Sequence, residues 1–147
     1  MLLTFAVALL LLQATLTYSD FIQVKNGGPW GDWGWTESCP EGTSARGFSL
    51  LVEPENRDNT AVNSIKLYCA EPYSTTVEDT ITSSAARWGQ WTSVKWCPLG
   101  DFVSFSLKVQ KPINGDNTAA NNIMLQCSDL TILTGDGGRW GEFWRLE

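Results

Sequence analysis

The side chains that could do chemistry in this 147-residue chain are carboxylates and cysteines, because the sequence contains no histidine. The nucleophile–imidazole machinery of serine and cysteine hydrolases is therefore excluded. Two carboxylates could still act on a glycosidic bond if they lay about 5–10 Å apart on either side of it. The candidates by residue type are Asp32, Glu37, Glu53, Asp58 and Asp116. No spacing among them singles out a pair, so we expect a protein that is not an enzyme, with weak glycosyl transfer left open.

The four cysteines are spaced as two equal pairs. Cys39 and Cys69 are 30 residues apart, and so are Cys97 and Cys127. Four cysteines in a small secreted chain indicate two disulfides. One bridge inside each pair is the simplest assignment, although joining the first cysteines of the two pairs, and likewise the second, would be equally symmetric. Zinc is disfavoured because the chain has neither a Cys-x-x-Cys pair nor a histidine, and we expect no cofactor or metal.

The cysteine spacing belongs to a longer internal repeat. The frame Asp-Asn-Thr-Ala-x-Asn-x-Ile-x-Leu-x-Cys ends at Cys69 and occurs again, 58 residues later, ending at Cys127. Trp-Gly-x-Trp at Trp30 and at Trp88, and Cys-Pro at each first cysteine, recur at the same offset. The chain therefore contains one supersecondary unit written at least twice.

The Asp-Asn pairs that open this frame, Asp58-Asn59 and Asp116-Asn117, are candidate carbohydrate-binding residues. Short polar side chains on a loop can hydrogen-bond sugar hydroxyl groups. They can equally bond to their own backbone as Asx turns that prepare the following strand. Since both pairs stand at the same place in the repeat, the sequence favours the structural role and keeps the binding role as the alternative.

The eight tryptophans divide by whether they follow the repeat. Most of those in the Trp-Gly-x-Trp segments recur, and for these the pattern favours packing in the core or at a sheet edge: Trp30, Trp33, Trp88 and Trp91. Trp35 and Trp96 break the repeat pattern. Because indole faces can stack on sugar rings, these two are the better candidates for a carbohydrate-binding surface.

Residues 1–19 have the layout of a secretory signal peptide, although the positively charged start of such a peptide is missing. The apolar run is too short for a transmembrane helix. Thereafter the chain is acidic, with a net charge of −6 and a pI of about 4.6, which argues against nucleic acid and anionic membranes as partners. We expect a secreted, extracellular protein.

The remaining pattern predicts an all-β, antiparallel fold with about four short strands per repeat. Apolar residues alternate with polar ones from Gly47 to Glu53, where only Leu51 breaks the alternation, and again in the second copy. The frame ending in each second cysteine alternates in the same way. Phe21–Lys25 and part of Thr75–Ala86 are further candidate strands.

Three sequence segments resemble the vitelline membrane outer layer protein 1 family. They are Asn26–Trp35, Gly47–Leu50 and Gly115–Asn122, and the resemblance extends from Phe21 to about Phe143. It implies a β-prism, in which three Greek-key sheets surround a pseudo-threefold axis with disulfides inside the repeats. It also implies a secreted component of an egg coat, weak transfer activity on N-acetylglucosamine oligosaccharides, and a fold shared with plant lectins. Fold alone does not decide among these functions.

The resemblance divides the chain into a signal peptide and one β-prism domain. The expected ranges are 1–19 for the signal peptide, 20–147 for the domain, about 21–78 and 79–135 for two repeats, and about 136–147 for a partial third. The third repeat stops after Trp140-Gly141-Glu142-Phe143. We therefore expect an incomplete prism that leaves apolar residues exposed, with extracellular coat proteins, glycans or a second copy of the chain as partners.

Overall fold

The computed structural model describes residues 22–28, 31–54, 60–114 and 120–147, and all regular structure in these ranges is β. The nine strands are β1 (Ser44–Val52), β2 (Val62–Ala70), β3 (Asp79–Thr82), β4 (Gln90–Trp91), β5 (Lys95–Trp96), β6 (Phe102–Val109), β7 (Ala120–Cys127), β8 (Ile132–Thr134) and β9 (Glu142–Phe143). The all-β class expected from the alternating pattern is confirmed.

The strands form two antiparallel sheets of the same design. The first has the order β3-β2-β1-β4, and β5 also pairs with β1, on the same edge as β4. The second has the order β8-β7-β6-β9. In each sheet three consecutive strands form a meander, and a later strand returns beside the first, which defines a Greek key. These sheets are consistent with a β-prism-like fold, as expected.

Each sheet is completed by the start of the following repeat. β4 belongs to the second Trp-Gly-x-Trp segment but pairs with β1, where Trp91 lies opposite Leu51. β9 belongs to the third such segment and pairs with β6, where Phe143 lies opposite Lys108. The boundaries of the sequence repeats and of the sheets therefore differ by one strand. Neighbouring repeats are interlocked in the sense that each sheet contains a strand from the following repeat.

The core lies between the inner faces of the two sheets. Phe48 and Leu50 of β1 pack with Ile123 and Leu125 of β7. The ring of Phe48 also meets that of Phe102 edge to face, with centroids 5.8 Å apart. Around this cluster lies a half-buried apolar rim: Val52, Val62, Ile65, Leu67, Phe102, Phe105, Leu107 and Leu133. All eight rim side chains are apolar and pack against the central cluster, so the inner surface around the core is apolar.

Two details of the strand pattern have a physical explanation. Leu51, which breaks the alternation, is buried on the outer face, where it lies opposite Trp91 of β4. The prediction of a strand at Phe21–Lys25 is wrong, because its described part, residues 22–25, forms no strand. The strand expected within Thr75–Ala86 is confirmed as β3, paired with β2.

Polar contacts fasten the junction between the two sheets. Arg46 of β1 is buried, and its guanidinium donates to four backbone carbonyl oxygens rather than to a carboxylate. Among them are the carbonyls of Gly100, at 2.7 Å, and of Cys97, at 3.5 Å, both in the second repeat. On the surface, Lys95 of β5 pairs with Asp136 after β8 at 2.9 Å. These contacts hold the second repeat against the first sheet.

No helix capable of crossing a bilayer occurs in the ranges that the structure describes.

Candidate functional site

The disulfides join equivalent points of the two repeats. Cys39 is bonded to Cys69 at the end of β2, and Cys97 to Cys127 at the end of β7. The Cα–Cα distances are 5.5 and 5.7 Å, within the usual range for disulfides. The predicted pairing inside each repeat is confirmed, and all four cysteine sulfur atoms are in disulfide bonds. A thiol nucleophile is therefore not available.

The candidate residues Asp58, Asn59, Asp116 and Asn117 lie outside the described residues, so their proposed roles stay predictions. The residues on either side of the first Asp-Asn pair are described, however, and Glu53 joins them by hydrogen bonds that form a clamp at the base of this loop. The carboxylate of Glu53 accepts hydrogen bonds from the backbone N–H of Thr60 at 3.0 Å and from its hydroxyl at 2.8 Å. The N–H of Glu53 donates to the carbonyl of Ala61 at 2.9 Å. Glu53, a catalytic candidate by type, thus closes a loop.

A later asparagine of the repeated frame also has a structural contact. The side chain of Asn63 donates to the carbonyl of Trp88 at 2.9 Å and so ties β2 to the opening of the next repeat. In the second copy of the frame, the residue after the asparagine equivalent to Asn63 is Asn122. It is buried, and its side chain donates to the carbonyl of Gly135 at 2.7 Å. This part of the frame joins segments of the fold to each other.

The two tryptophans predicted to bind carbohydrate have different surroundings. Trp35 is 98% exposed, so its indole is available to a ligand. Trp96 is half-buried in β5 and covers Gly47, where an added Cβ would stand 2.8 Å from the indole ring. Its ring also lies 5.9 Å from that of Tyr68. Of these two candidates, therefore, Trp35 alone presents a free aromatic face. The packing role predicted for Trp33 is wrong, since Trp33 is 93% exposed.

A groove of about 1240 Å³ lies beside this exposed aromatic segment. Its walls are formed by residues of 22–28 and 31–33, by Phe105 and Leu107 on the inner face of β6, and by Glu147. The side chain of Asn26 crosses between them and donates to the carbonyl of Leu107 at 2.8 Å, while its buried carbonyl oxygen accepts no hydrogen bond among the described residues. The walls carry Lys25, Asp32 and Glu147 as charged groups.

The carboxyl groups whose pKa values are shifted do not support acid catalysis, because each of these pKa values is lowered. The pKa of Glu53 is lowered by its hydrogen bonds from Thr60, first from the backbone and then from the side chain. The pKa of Asp129 is lowered in the same way by Thr131, and that of Glu147 chiefly by its hydrogen bond from Arg145. A general acid for glycosidic bonds needs a raised pKa. These three carboxylates are therefore poor general acids.

Comparison with known proteins adds family membership to this geometry. Residues 20–147 match the family described as "Vitelline membrane outer layer protein I (VOMI)". The chain belongs to this family.

Two relatives carry the name "Vitelline membrane outer layer protein 1 homolog". The human protein is 47% identical to this chain over 131 residues and the mouse protein 42% identical over 131 residues. In both cases the match covers 86% of this chain and 65% of the relative. The chain thus spans 65% of the length of these VOMI relatives.

Sequence reasoning missed the strand exchange between repeats and the buried Arg46. The glycine that recurs in the Trp-Gly-x-Trp segments could have indicated the strand exchange, since a glycine within a strand often marks a place where another backbone approaches closely. Arg46 carries no such signal, because the equivalent position of the second repeat is Val103.

Proposed function

We propose that this VOMI protein is a secreted structural component of an extracellular coat, acting through stable contacts with coat proteins or glycans rather than through catalysis. The proposal is carried by the repeated disulfide, which staples each sheet at the same point. Small secreted domains use such bridges to persist in oxidising surroundings. The name shared by the human and mouse relatives supports a place in an outer layer. The acidic charge of −6 makes nucleic acid and anionic membranes unsuitable partners.

The interlocked sheets suit this role because they resist local opening. In each sheet one edge strand, β4 or β9, comes from the following repeat, so its separation would disturb both repeats, and the bridge at the end of β2 or β7 limits fraying. Proteases cleave segments that open locally, and opening is rare where such constraints meet. A long-lived coat needs this property, whereas an enzyme with a moving active-site loop does not.

The test is to locate the protein in the tissue that secretes it. We expect an antibody to label the extracellular layer, and extraction to require denaturant, with reductant increasing the yield. A matched secreted protein without coat function, collected from the same tissue, should be extracted by buffer alone. Recovery of this protein inside cells, or complete extraction by buffer, would contradict the structural role.

A second candidate function is the binding of N-acetylglucosamine-type oligosaccharides, and the exposed indoles of Trp33 and Trp35 favour it. Titration with chitin oligosaccharides tests this function. We expect Trp35→Ala to weaken binding and Tyr73→Ala, which removes another highly exposed ring, to leave it unchanged. The absence of binding at millimolar sugar would remove this candidate.

We further propose that any glycosyl transfer by this chain does not use Asp58 and Asp116 as acid and base. The double substitution Asp58→Asn with Asp116→Asn tests them, with transfer between N-acetylglucosamine oligosaccharides as the assay. We expect an unchanged rate. Loss of turnover with an unchanged circular dichroism spectrum would assign these two residues a catalytic role.

A further inference from the structure

The loop that joins β2 to β3 is longer than its counterpart in the second repeat. Residues 71–78, named here the long loop, connect these two strands, whereas residues 128–131 connect β7 to β8. The sequence shows the same difference, because the offset between repeats falls from 58 at their second cysteines to 52 at the Trp-Gly segments that follow. The second sheet closes with the short connection, so the Greek key itself does not require the long loop.

Both ends of the long loop are held by the fold. Its first four residues form a turn in which the N–H of Ser74 donates to the carbonyl of Glu71 at 3.1 Å. The buried guanidinium of Arg46 donates to the carbonyl of Glu71, at 3.2 Å, and to that of Ser74. At the other end, the N–H of Glu78 donates to the carbonyl of Cys69 at 2.9 Å. Residues 75–77 are therefore held at the surface between two anchored ends.

Thr75 and Thr76, between these ends, carry hydroxyl groups that the fold does not use. Both residues are exposed and belong to no strand, and their hydroxyls form no hydrogen bond in the part of the chain that the structure describes. Ser74 differs, because it is half-buried and its hydroxyl accepts from the N–H of Thr76 at 3.0 Å. The hydroxyl of Thr92 likewise accepts from the N–H of Leu50 at 3.0 Å. The two threonine hydroxyls of the long loop are thus available to a modifying enzyme.

The charges around these hydroxyls favour a neutral sugar over a phosphate. Glu71, Glu78 and Asp79 are exposed, and they lie on the long loop or directly after it. A phosphate here would add negative charge beside carboxylates that repel it. Arg46 cannot bind a phosphate, because it is buried and its guanidinium already donates to four backbone carbonyls. A sugar adds bulk and hydroxyl groups without charge.

The local sequence is also typical of O-linked glycosylation. Residues 74–76 are Ser-Thr-Thr, and Pro72 stands three residues before Thr75. Segments rich in serine and threonine that contain proline are characteristic of O-glycosylated stretches of secreted proteins. The chain has no Asn-x-Ser/Thr sequence, which N-linked attachment needs. A sugar would therefore be attached through a hydroxyl group.

We propose that Thr75 and Thr76 are acceptors for O-linked N-acetylgalactosamine, transferred from a nucleoside diphosphate sugar during secretion. The threonine Oγ1 forms a bond to C1 of the sugar, and the bond from C1 to the diphosphate breaks. The nucleoside diphosphate leaves with the bonding electrons, and the hydroxyl proton passes to a base of the transferase. The proposal rests on the secretion proposed above, but it requires neither a place in a coat nor the binding of free oligosaccharides.

The test is to express the full chain in cultured animal cells and to map sugars on the secreted protein by electron-transfer mass spectrometry. We expect N-acetylhexosamine on Thr75, on Thr76 or on both. The double variant Thr75→Val with Thr76→Val should lose the sugar from the long loop. Thr80→Val is the matched control and should keep it. Thr80 is also exposed, but its backbone lies in β3 and pairs with Tyr68. Circular dichroism shows whether each variant is folded.

A second assay makes the result independent of secretion. The purified, unglycosylated full chain is incubated with uridine diphosphate N-acetylgalactosamine and a polypeptide N-acetylgalactosaminyltransferase. We expect transfer to the parent chain and to Thr80→Val, but not to the double variant.

Three outcomes would overturn the proposal. The secreted chain could be unmodified at Thr75 and Thr76, it could carry phosphate there instead of a sugar, or the transferase could act equally on the double variant. Each of these results leaves the proposed coat function standing. Retention of the chain inside the cells would contradict that function instead. In that case the purified assay decides, since transfer to the parent chain supports the two acceptors and no transfer overturns them.

Discussion

The matched disulfides allow the stability of each repeat to be measured against the other. Replacing Cys39 and Cys69 with alanine opens one loop, and replacing Cys97 and Cys127 opens the other, and the sequence separation is 30 in both cases. In the chain-entropy account, closing a loop of this size lowers the free energy of folding by about 3.6 kcal/mol at 25 °C. Both double variants should lose this amount.

The two variants should differ in their packing loss. Cys69 and Cys127 are both fully buried. Their partners differ, since Cys97 is buried and Cys39 is half-buried, so removing the second bridge leaves the larger cavity. We expect the second double variant to lose roughly 1 kcal/mol more than the first. Urea denaturation followed by circular dichroism measures both losses, and the melting temperatures should fall on the order of 10–15 °C. Losses below about 1 kcal/mol in either variant would refute the view that the bridges staple the repeats.

Three further predictions concern the core, the strand exchange and the loop clamp. Leu50→Ala should cost about 2–5 kcal/mol in urea denaturation, since this core side chain is fully buried. Gly89→Ala should destabilise at least about 1 kcal/mol more than Gly42→Ala in the same assay, because both residues have positive φ but only Gly89 lies against a neighbouring strand. Glu53→Gln should be less stable than the parent at pH 7, and the difference should disappear as the pH falls below the ordinary glutamate pKa of 4.5, since the bonds from Thr60 lower the folded-state pKa. A difference that persists at pH 2 would contradict the clamp.

Much of the fold follows from local pattern. Alternation of apolar and polar residues in β1, β2, β6 and β7 predicts strands with one buried face, and the equal spacing of the cysteines predicts the bridges. These features depend on neighbouring residues and on the repeat, both of which are visible in the sequence. Leu51 shows the limit of this reasoning, because its burial on the outer face depends on a strand of the next repeat.

The site was less predictable for a related reason. Whether an indole packs or faces solvent depends on whether another strand lies beside it. Trp33 and Trp91 stand in the same motif, yet Trp91 pairs with β1 and lies beneath Lys66, whereas Trp33 is 93% exposed and belongs to no strand of the described residues. Trp96 broke the repeat and was therefore predicted to bind a ligand, but it covers Gly47 within its own sheet. Local sequence does not contain these long-range neighbours.

Amide hydrogen exchange of the free chain tests the interlocked architecture most directly. Each sheet is completed by the Trp-Gly-x-Trp or equivalent segment of the following repeat, as β4 or β9, whereas the N–H of Gly34 in the first such segment donates to no backbone carbonyl among the described residues. Slow exchange is therefore predicted at the N–H groups of Thr92 and Trp144, which donate to β1 and β6, and fast exchange at the equivalent N–H of Gly34. Equal protection at all three positions, or fast exchange at Thr92 and Trp144, would contradict the account.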